Sequence, residues 1–133
     1  MFNKNQFIEI VKNVLTTMND VLPGLYSDEA VTLLVLTCAQ ESGGGYYFKQ
    51  IKGPARGFFQ MEPETEDWIL KWLQANNKVL YNAVISLTIG DSDFPSMIYS
   101  IAYQIAMCRM RYYLAPGKIP TDINGIAGYW KQY

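Results

Sequence analysis

The stretch CAQESGGGYYFKQIKGPARGFFQMEP, residues 38–63, indicates both the fold and the candidate site. It overlaps residues 30–39, which are apolar almost all round, a pattern that predicts a helix in the middle of a domain. Glu41 stands at the end of this predicted helix, and the glycines at 43–45 stop it, because glycine readily takes the left-handed conformation of a helix C-terminus. We therefore expect Glu41 to be a carboxylate at the negative end of a buried helix. Desolvation there favours the protonated form that a general acid needs.

Two short motifs in this stretch resemble the core motif of lytic transglycosylases and goose-type lysozymes. The first is Glu41-Ser42 at the end of the apolar helix, and the second is Gly-Phe-Phe-Gln-Met-Glu-Pro at residues 57–63. In that superfamily a Glu-Ser pair closes a buried helix, and a Gly-hydrophobic-hydrophobic-Gln segment follows at a similar spacing. Residues 49–56 are similar to small phage-encoded members, and the resemblance is dense over residues 36–68. It implies a lysozyme-like fold with Glu41 as the catalytic residue.

The resemblance also implies a substrate groove around Glu41. The backbone of Gly57, Phe58 and Phe59 and the side chain of Gln60 would line this groove. Ser42 would orient either Glu41 or the adjacent loop.

Three tyrosines are candidates for the same groove, each with two interpretations. Tyr46 and Tyr47 are either aromatics at the edge of the core or platforms for sugar rings. Tyr103 lies in Ala-Tyr-Gln at 102–104, where the family often has Ala-Tyr-Asn, so it either faces the catalytic glutamate or is a core tyrosine. The expected substrate-binding set is Ser42, Tyr46, Tyr47, Gly57, Phe59, Gln60 and Tyr103.

Composition limits the chemistry that is available to the chain. It has 133 residues, a net charge of −1 and no histidine, and its length fits one domain. The lack of histidine excludes Ser-His-Asp and Cys-His catalysis and histidine metal sites, and we expect neither a metal nor a cofactor. No basic block supports nucleic-acid binding. Cys38 and Cys108 fall on apolar faces of predicted helices, so we expect two reduced, buried thiols.

Apolar periodicity predicts helices along nearly the whole chain. Ser27 is the expected N-cap of the buried helix and Thr121 that of the last one. We expect the longest later helix to be amphipathic and to pack against the buried one, and any strand to be a short hairpin within residues 43–60. The expected fold is therefore a mainly α, lysozyme-like single domain over residues 1–133. Its predicted helices lie at residues 5–19, 28–42, 64–76, 79–87, 96–113 and 121–133.

The reaction that the resemblance implies is cleavage of the β-1,4 bond between N-acetylmuramic acid and N-acetylglucosamine in peptidoglycan. Glu41 would protonate the glycosidic oxygen. Hydrolysis usually needs a second carboxylate, and the candidates Glu62, Glu64, Asp91 and Asp93 have no motif behind them. The resembled transglycosylases use one glutamate, and the sugar's own 6-hydroxyl attacks to leave a 1,6-anhydro product. We favour this route over hydrolysis.

Two alternatives from other classes stay open. One is a non-catalytic phage structural protein that uses the same fold to bind glycan or a virion partner. The other is an unrelated helical interaction protein whose motif matches are chance. The sequence shows no signal peptide and no apolar run long enough to span a bilayer. We therefore expect a bacteriophage endolysin or virion component, made in the host cytoplasm, that acts on the cell wall.

Overall fold

Helices make up most of the structure. The computed structural model describes residues 3–90 and 93–133, and this part of the chain holds seven helices and no strand. None of these helices is both long and apolar enough to cross a membrane. The predicted mainly helical class is confirmed, whereas the lysozyme-like character stays a prediction. The helices are α1 (Lys4–Val21), α2 (Asp28–Ser42), α3 (Pro63–Asn76), α4 (Lys78–Ile85), α5 (Ser96–Tyr99), α6 (Ile101–Tyr113) and α7 (Ile123–Gln132).

Short polar side chains begin several of these helices, as sequence patterns predict. The Ser27 hydroxyl accepts a hydrogen bond from the Ala30 amide at 3.0 Å, so the predicted N-cap of α2 is confirmed. The predicted cap of α7 is wrong by one residue, because Asp122 rather than Thr121 accepts the bond from the Gly125 amide. Both residue types cap helices well, so local sequence favours neither of two adjacent candidates.

The helix that is buried on all sides is α6, not α2 as the sequence predicted. Residues 103–110 are all buried, and α6 packs against α1, α2, α3, α4 and α5. The expected amphipathic helix has no solvent-facing side along these residues, since even the polar Gln104 and Arg109 are buried. Each satisfies its polar atoms inside the protein: Gln104 Nε2 donates to the Ile98 carbonyl oxygen at 3.1 Å, and Arg109 Nε donates to that of Leu25 at 2.8 Å.

The apolar helix α2 covers only part of its surface. It packs against α1, α6 and α7. Its outer side carries Thr32 and Ala39, which are exposed, and Val35 and Leu36, which are half-buried. The expectation of burial all round is therefore wrong, because the packing neighbours, rather than the apolar run alone, decide how much of a helix is covered.

A serine divides the predicted helix 96–113 into α5 and α6. Ser100 has an extended backbone, with φ −109° and ψ 106°, and its hydroxyl accepts a hydrogen bond from the Tyr103 amide at 3.2 Å. The same hydroxyl donates to the Leu87 carbonyl oxygen at 2.8 Å. Ser100 thus caps α6 and connects its start to Leu87, just after the end of α4. The spacing of apolar residues does not reveal this break between α5 and α6.

The segment between α2 and α3 is a series of turns held by a few backbone bonds. Isolated bridges join Lys49 to Arg56 and Arg56 to Met61. The Gly57 amide also donates to the Phe48 carbonyl oxygen at 2.6 Å. These bonds do not amount to the short hairpin that the sequence allowed, since they form isolated bridges and no strand in the described residues. They nevertheless hold the segment that follows Glu41 in place.

The two cysteines act as small apolar side chains of the core. Cys38 and Cys108 are both free and buried, and burial raises the pKa of each thiol. Both thiols should therefore stay protonated and unreactive at neutral pH. Replacing either with alanine should lower the free energy of unfolding by about 1–2 kcal/mol through lost buried volume. Thiol titration should show slow reaction in the native protein and fast reaction after denaturation; rapid labelling of both native thiols would contradict this.

Candidate active site

The C-terminal end of α2 presents Glu41 to solvent. Glu41 lies in the last turn of α2 and is exposed, and Gly43 ends the helix in the left-handed conformation with φ 64°. The expectation that Glu41 is buried at the end of α2 is therefore wrong. The neighbouring Ser42 is buried whereas Ala39, Gln40 and Glu41 are exposed, so Glu41 lies on the outer side of the end of α2.

Ser42 fixes the chain on either side of Glu41. Its side chain is fully buried, and its hydroxyl donates to the Cys38 carbonyl oxygen at 3.0 Å. It also accepts a hydrogen bond from the Gly45 amide at 3.0 Å. Ser42 thus positions the adjacent loop, as the resemblance implied, but its burial prevents it from contacting a substrate.

The segment that carries Gln60 is attached to the buried helix α6. The Phe58 amide donates to Gln104 Oε1 at 2.7 Å, and Phe59 is buried with its ring centroid 6.4 Å from that of Phe7. Gln60 has φ 49°, uncommon for a residue other than glycine, and its Nε2 donates to the Gly57 carbonyl oxygen at 2.8 Å. The core therefore holds this turn and directs Gln60 outwards.

Glu41 and Gln60 line the same polar cleft, of about 450 Å³, which we call the Glu41 cleft. Glu62 brings a second carboxylate to it and Arg111 a guanidinium group. The Arg111 Nη2 also donates to the Tyr133 carbonyl oxygen at 2.7 Å, which ties its side chain to the C-terminal end of the chain. The full lining is Glu41, Gln50, Ala55, Gln60, Glu62, Thr65 and Arg111.

This arrangement supplies groups for acid–base chemistry on a polar substrate. Glu62 is the N-cap residue of α3, but its side chain makes no capping hydrogen bond, so its carboxylate is not committed to the helix. Two carboxylates beside one guanidinium and two amide side chains could donate and accept protons and hydrogen bonds around a sugar. In the described part of the chain, no cluster of three or more Cys, Asp or Glu side chains is placed to hold a metal ion.

Besides Ser42, three more residues of the expected substrate-binding set are buried. Phe59 belongs to the core, and Gly57 is enclosed against Met97 and Gln104. Tyr103 is buried on α6, and its hydroxyl donates to Glu66 Oε2 at 2.6 Å rather than facing Glu41. Burial, together with this bond to Glu66, raises the pKa of the Tyr103 hydroxyl. The expectation that these three residues contact a substrate is corrected, because each is held inside by its packing.

Tyr46 and Tyr47 lie outside the Glu41 cleft. Both are exposed, with ring centroids 4.8 Å apart in an edge-to-face arrangement. They line a different cleft of about 770 Å³, which we call the aromatic cleft. Its lining is Tyr46, Tyr47, Phe48, Lys49, Phe58, Ile98, Tyr99, Ile101 and Gln104. The interpretation as core-edge aromatics does not fit their exposure, and the role as sugar platforms stays a prediction.

The candidates for a second carboxylate lie in different places. Glu62 is in the Glu41 cleft, and Asp93 lines another cleft on the far side of Gln50. Glu64 is exposed in the first turn of α3. Asp91 lies outside the described residues. Sequence gave no reason to prefer Glu62, because its proximity to Glu41 depends on how the turns 43–62 fold back.

Sequence reasoning missed Gln50, Thr65 and Arg111 as residues of the Glu41 cleft. Thr65 stands shortly after the proline of the second motif, so the motif's continuation could have indicated it. Arg111 comes from α6, and nothing in the sequence around it indicates a place in this cleft.

Comparison of the chain with protein-family models, with curated proteins and with solved structures gives no match.

Proposed function

We propose that this protein cleaves the β-1,4 bond between N-acetylmuramic acid and N-acetylglucosamine in peptidoglycan, with Glu41 as the general acid. The observation that carries the proposal is that Glu41 and Gln60, the functional residues of the two motifs, line one polar cleft of about 450 Å³. A chance pair of motifs has no reason to meet in a cleft. An exposed carboxylate there can reach a glycosidic oxygen directly.

The proposed route is lytic transglycosylation. Glu41 passes its proton to the glycosidic oxygen, and the N-acetylglucosamine side leaves as an alcohol. The 6-hydroxyl of the muramic sugar then attacks its own C1 and returns a proton to the Glu41 carboxylate, so no water is consumed. This route follows from the resemblance and needs one carboxylate.

A second candidate is hydrolysis, and the placement of Glu62 favours it. Glu62 lines the same cleft as Glu41, so it could serve as nucleophile or activate water in the two-carboxylate scheme of most glycosidases. The product would then be a reducing sugar end in place of a 1,6-anhydro end. The two routes thus differ in a directly measurable product.

Glu62→Gln separates these two routes. For transglycosylation we expect this variant to keep cleavage within about tenfold of the parent and both proteins to leave 1,6-anhydro muramic ends. Mass spectrometry of muropeptides released from purified sacculi reads both outcomes. Reducing ends from the parent, with a loss of about 10²-fold or more in the variant, would reject transglycosylation in favour of hydrolysis.

The biological setting that we propose is that of a phage lysis enzyme or a virion-associated murein-degrading enzyme. It rests on the similarity of residues 49–56 to small phage-encoded members of the superfamily. A non-catalytic glycan-binding protein with the same cleft is the main alternative. Turbidity loss in a suspension of purified cell walls distinguishes an enzyme from such a binding protein.

A further inference from the structure

The Glu41 cleft is the first of three clefts that share lining residues. A neighbouring cleft of about 500 Å³, which we call the Arg56 cleft, shares Gln50 and Ala55 with it. At its other side the Arg56 cleft shares Lys49, Ile98 and Tyr99 with the aromatic cleft. Shared lining residues mean that the three clefts adjoin in the order Glu41, Arg56, aromatic. A groove of this form suits a polymer better than a small molecule.

The middle of this groove holds a guanidinium group without a protein partner. The Arg56 side chain makes no hydrogen bond and no ion pair with any of the residues that the structure describes, and its Nε is buried. Native proteins rarely keep a buried N–H without an acceptor. The Nη groups of Arg56 also have no hydrogen-bond partner among the described residues, and they, rather than the buried Nε, are the atoms that an anion in the cleft would meet. The Arg56 backbone is fixed, since its amide donates to the Met61 carbonyl oxygen at 2.9 Å and its carbonyl accepts from the Met61 amide at 3.0 Å.

The charges that line the Arg56 cleft favour an anion. Arg56 and Lys49 are its two cations, and Asp93 is the one carboxylate among its described lining residues. Lys49 is exposed and forms no ion pair with another described residue. A planar guanidinium group pairs with a carboxylate through two parallel hydrogen bonds, and a nearby ammonium group strengthens that preference.

We infer that the Arg56 cleft binds a carboxylate that the glycan substrate carries. The inference rests on the proposed function and assigns to Arg56 and its cleft the discrimination between carboxylate-bearing glycans and neutral polymers of N-acetylglucosamine. Peptidoglycan offers this chemistry from two sources. A muramic acid without a peptide has a free lactyl carboxylate, and one with a peptide has the carboxylates of that peptide instead, because the lactyl group is then an amide. A carboxylate on Arg56 would place the glycan between the Glu41 cleft and the aromatic cleft, where the rings of Tyr46 and Tyr99 are exposed.

Binding measured without cleavage tests this inference. Isothermal titration of the Glu41→Gln protein uses three oligosaccharides of equal length. They are N-acetylglucosamine alone, alternating N-acetylglucosamine and N-acetylmuramic acid with free lactyl carboxylates, and the same chain with its peptides. We expect the better of the two carboxylate-bearing chains to bind at least about tenfold more tightly than the neutral chain. If the chain with free lactyl carboxylates shows the full preference, the lactyl group is the bound carboxylate. If only the chain with peptides shows it, the bound carboxylate belongs to the peptide.

Substitutions at Arg56 show whether this residue causes the preference. The double variant Glu41→Gln/Arg56→Gln should lose the preference for carboxylate-bearing chains while binding the neutral chain as before. Arg56→Lys in the same Glu41→Gln background should keep part of this preference, because lysine retains the charge without the planar guanidinium group. Lys78→Gln, which removes an exposed cation on α4, should change nothing. Equal binding of all three chains, or a preference that survives Arg56→Gln, would overturn the inference. Wall cleavage by the wild type is measured separately, so either proposal can fail while the other stands.

Discussion

Glu41→Gln is expected to abolish the release of soluble fragments from purified sacculi. Glutamine keeps the size of the side chain but cannot donate a proton to the glycosidic oxygen, and general acid catalysis contributes about 10²–10⁴-fold to such reactions. In the proposed mechanism Glu41 acts first as acid and then as base, so its loss should fall at the upper end of this range. The rate of turbidity loss, followed over hours at high enzyme concentration, measures the residual activity.

The same substitution should leave the stability of the protein nearly unchanged. Glu41 is exposed, and its side chain forms no hydrogen bond with another described residue. Surface substitutions of this kind change the free energy of unfolding by less than about 0.5 kcal/mol. Glu9→Gln is the matched control, since Glu9 is exposed on α1 and does not line the Glu41 cleft. A Glu41→Gln protein that melts normally and still cleaves walls would remove Glu41 from the mechanism.

Gly57→Ala should produce the largest loss of stability among single small substitutions in the turn that carries Gln60. Gly57 has φ 81°, where an alanine costs about 1–2 kcal/mol. An added Cβ would also collide with the Met97 carbonyl oxygen and lie 2.6 Å from Gln104 Oε1. The backbone oxygen cannot move away easily, so we expect a total loss of about 2–4 kcal/mol and a melting temperature lower by roughly 10 °C.

Gly117→Ala separates the collision from the backbone strain. Gly117 has a similar φ of 80°, but a Cβ there would meet nothing within 4 Å. This variant should therefore lose only the cost of the left-handed conformation, about 1–2 kcal/mol. Thermal unfolding followed by circular dichroism measures both variants. Equal losses at the two glycines would show that the collision of the added Cβ with Met97 and Gln104 costs no stability, and would contradict this prediction.

The two ends of α2 were the features that local sequence predicted best. The cap of α2 at Ser27 and its end at Gly43 depend on contacts within a few residues, so the pattern contains the information. The central helix was predicted wrongly for the opposite reason. This helix was expected to be amphipathic, and only the bonds of Gln104 and Arg109 to Ile98 and Leu25 show that α6 can bury both polar side chains.

The composition of the candidate site was only partly predictable. The two motifs supplied Glu41 and Gln60, but their spacing does not tell which neighbouring side chains point inwards. Phe59 turns into the core while Gln60 turns to the cleft, because the left-handed backbone at Gln60 reverses the chain there. Glu62 and Arg111 reach the cleft through the folding of the whole segment and through α6. Such placements need tertiary structure.

Mass spectrometry of the material that the protein releases from purified sacculi tests the central claim most directly. The account predicts soluble glycan fragments cut between N-acetylmuramic acid and N-acetylglucosamine, with 1,6-anhydro muramic ends, from the wild type and none from Glu41→Gln. Sacculi that stay intact with the folded wild-type protein would contradict the account. So would fragments cut only at peptide bonds, or the same glycan fragments from the Glu41→Gln variant.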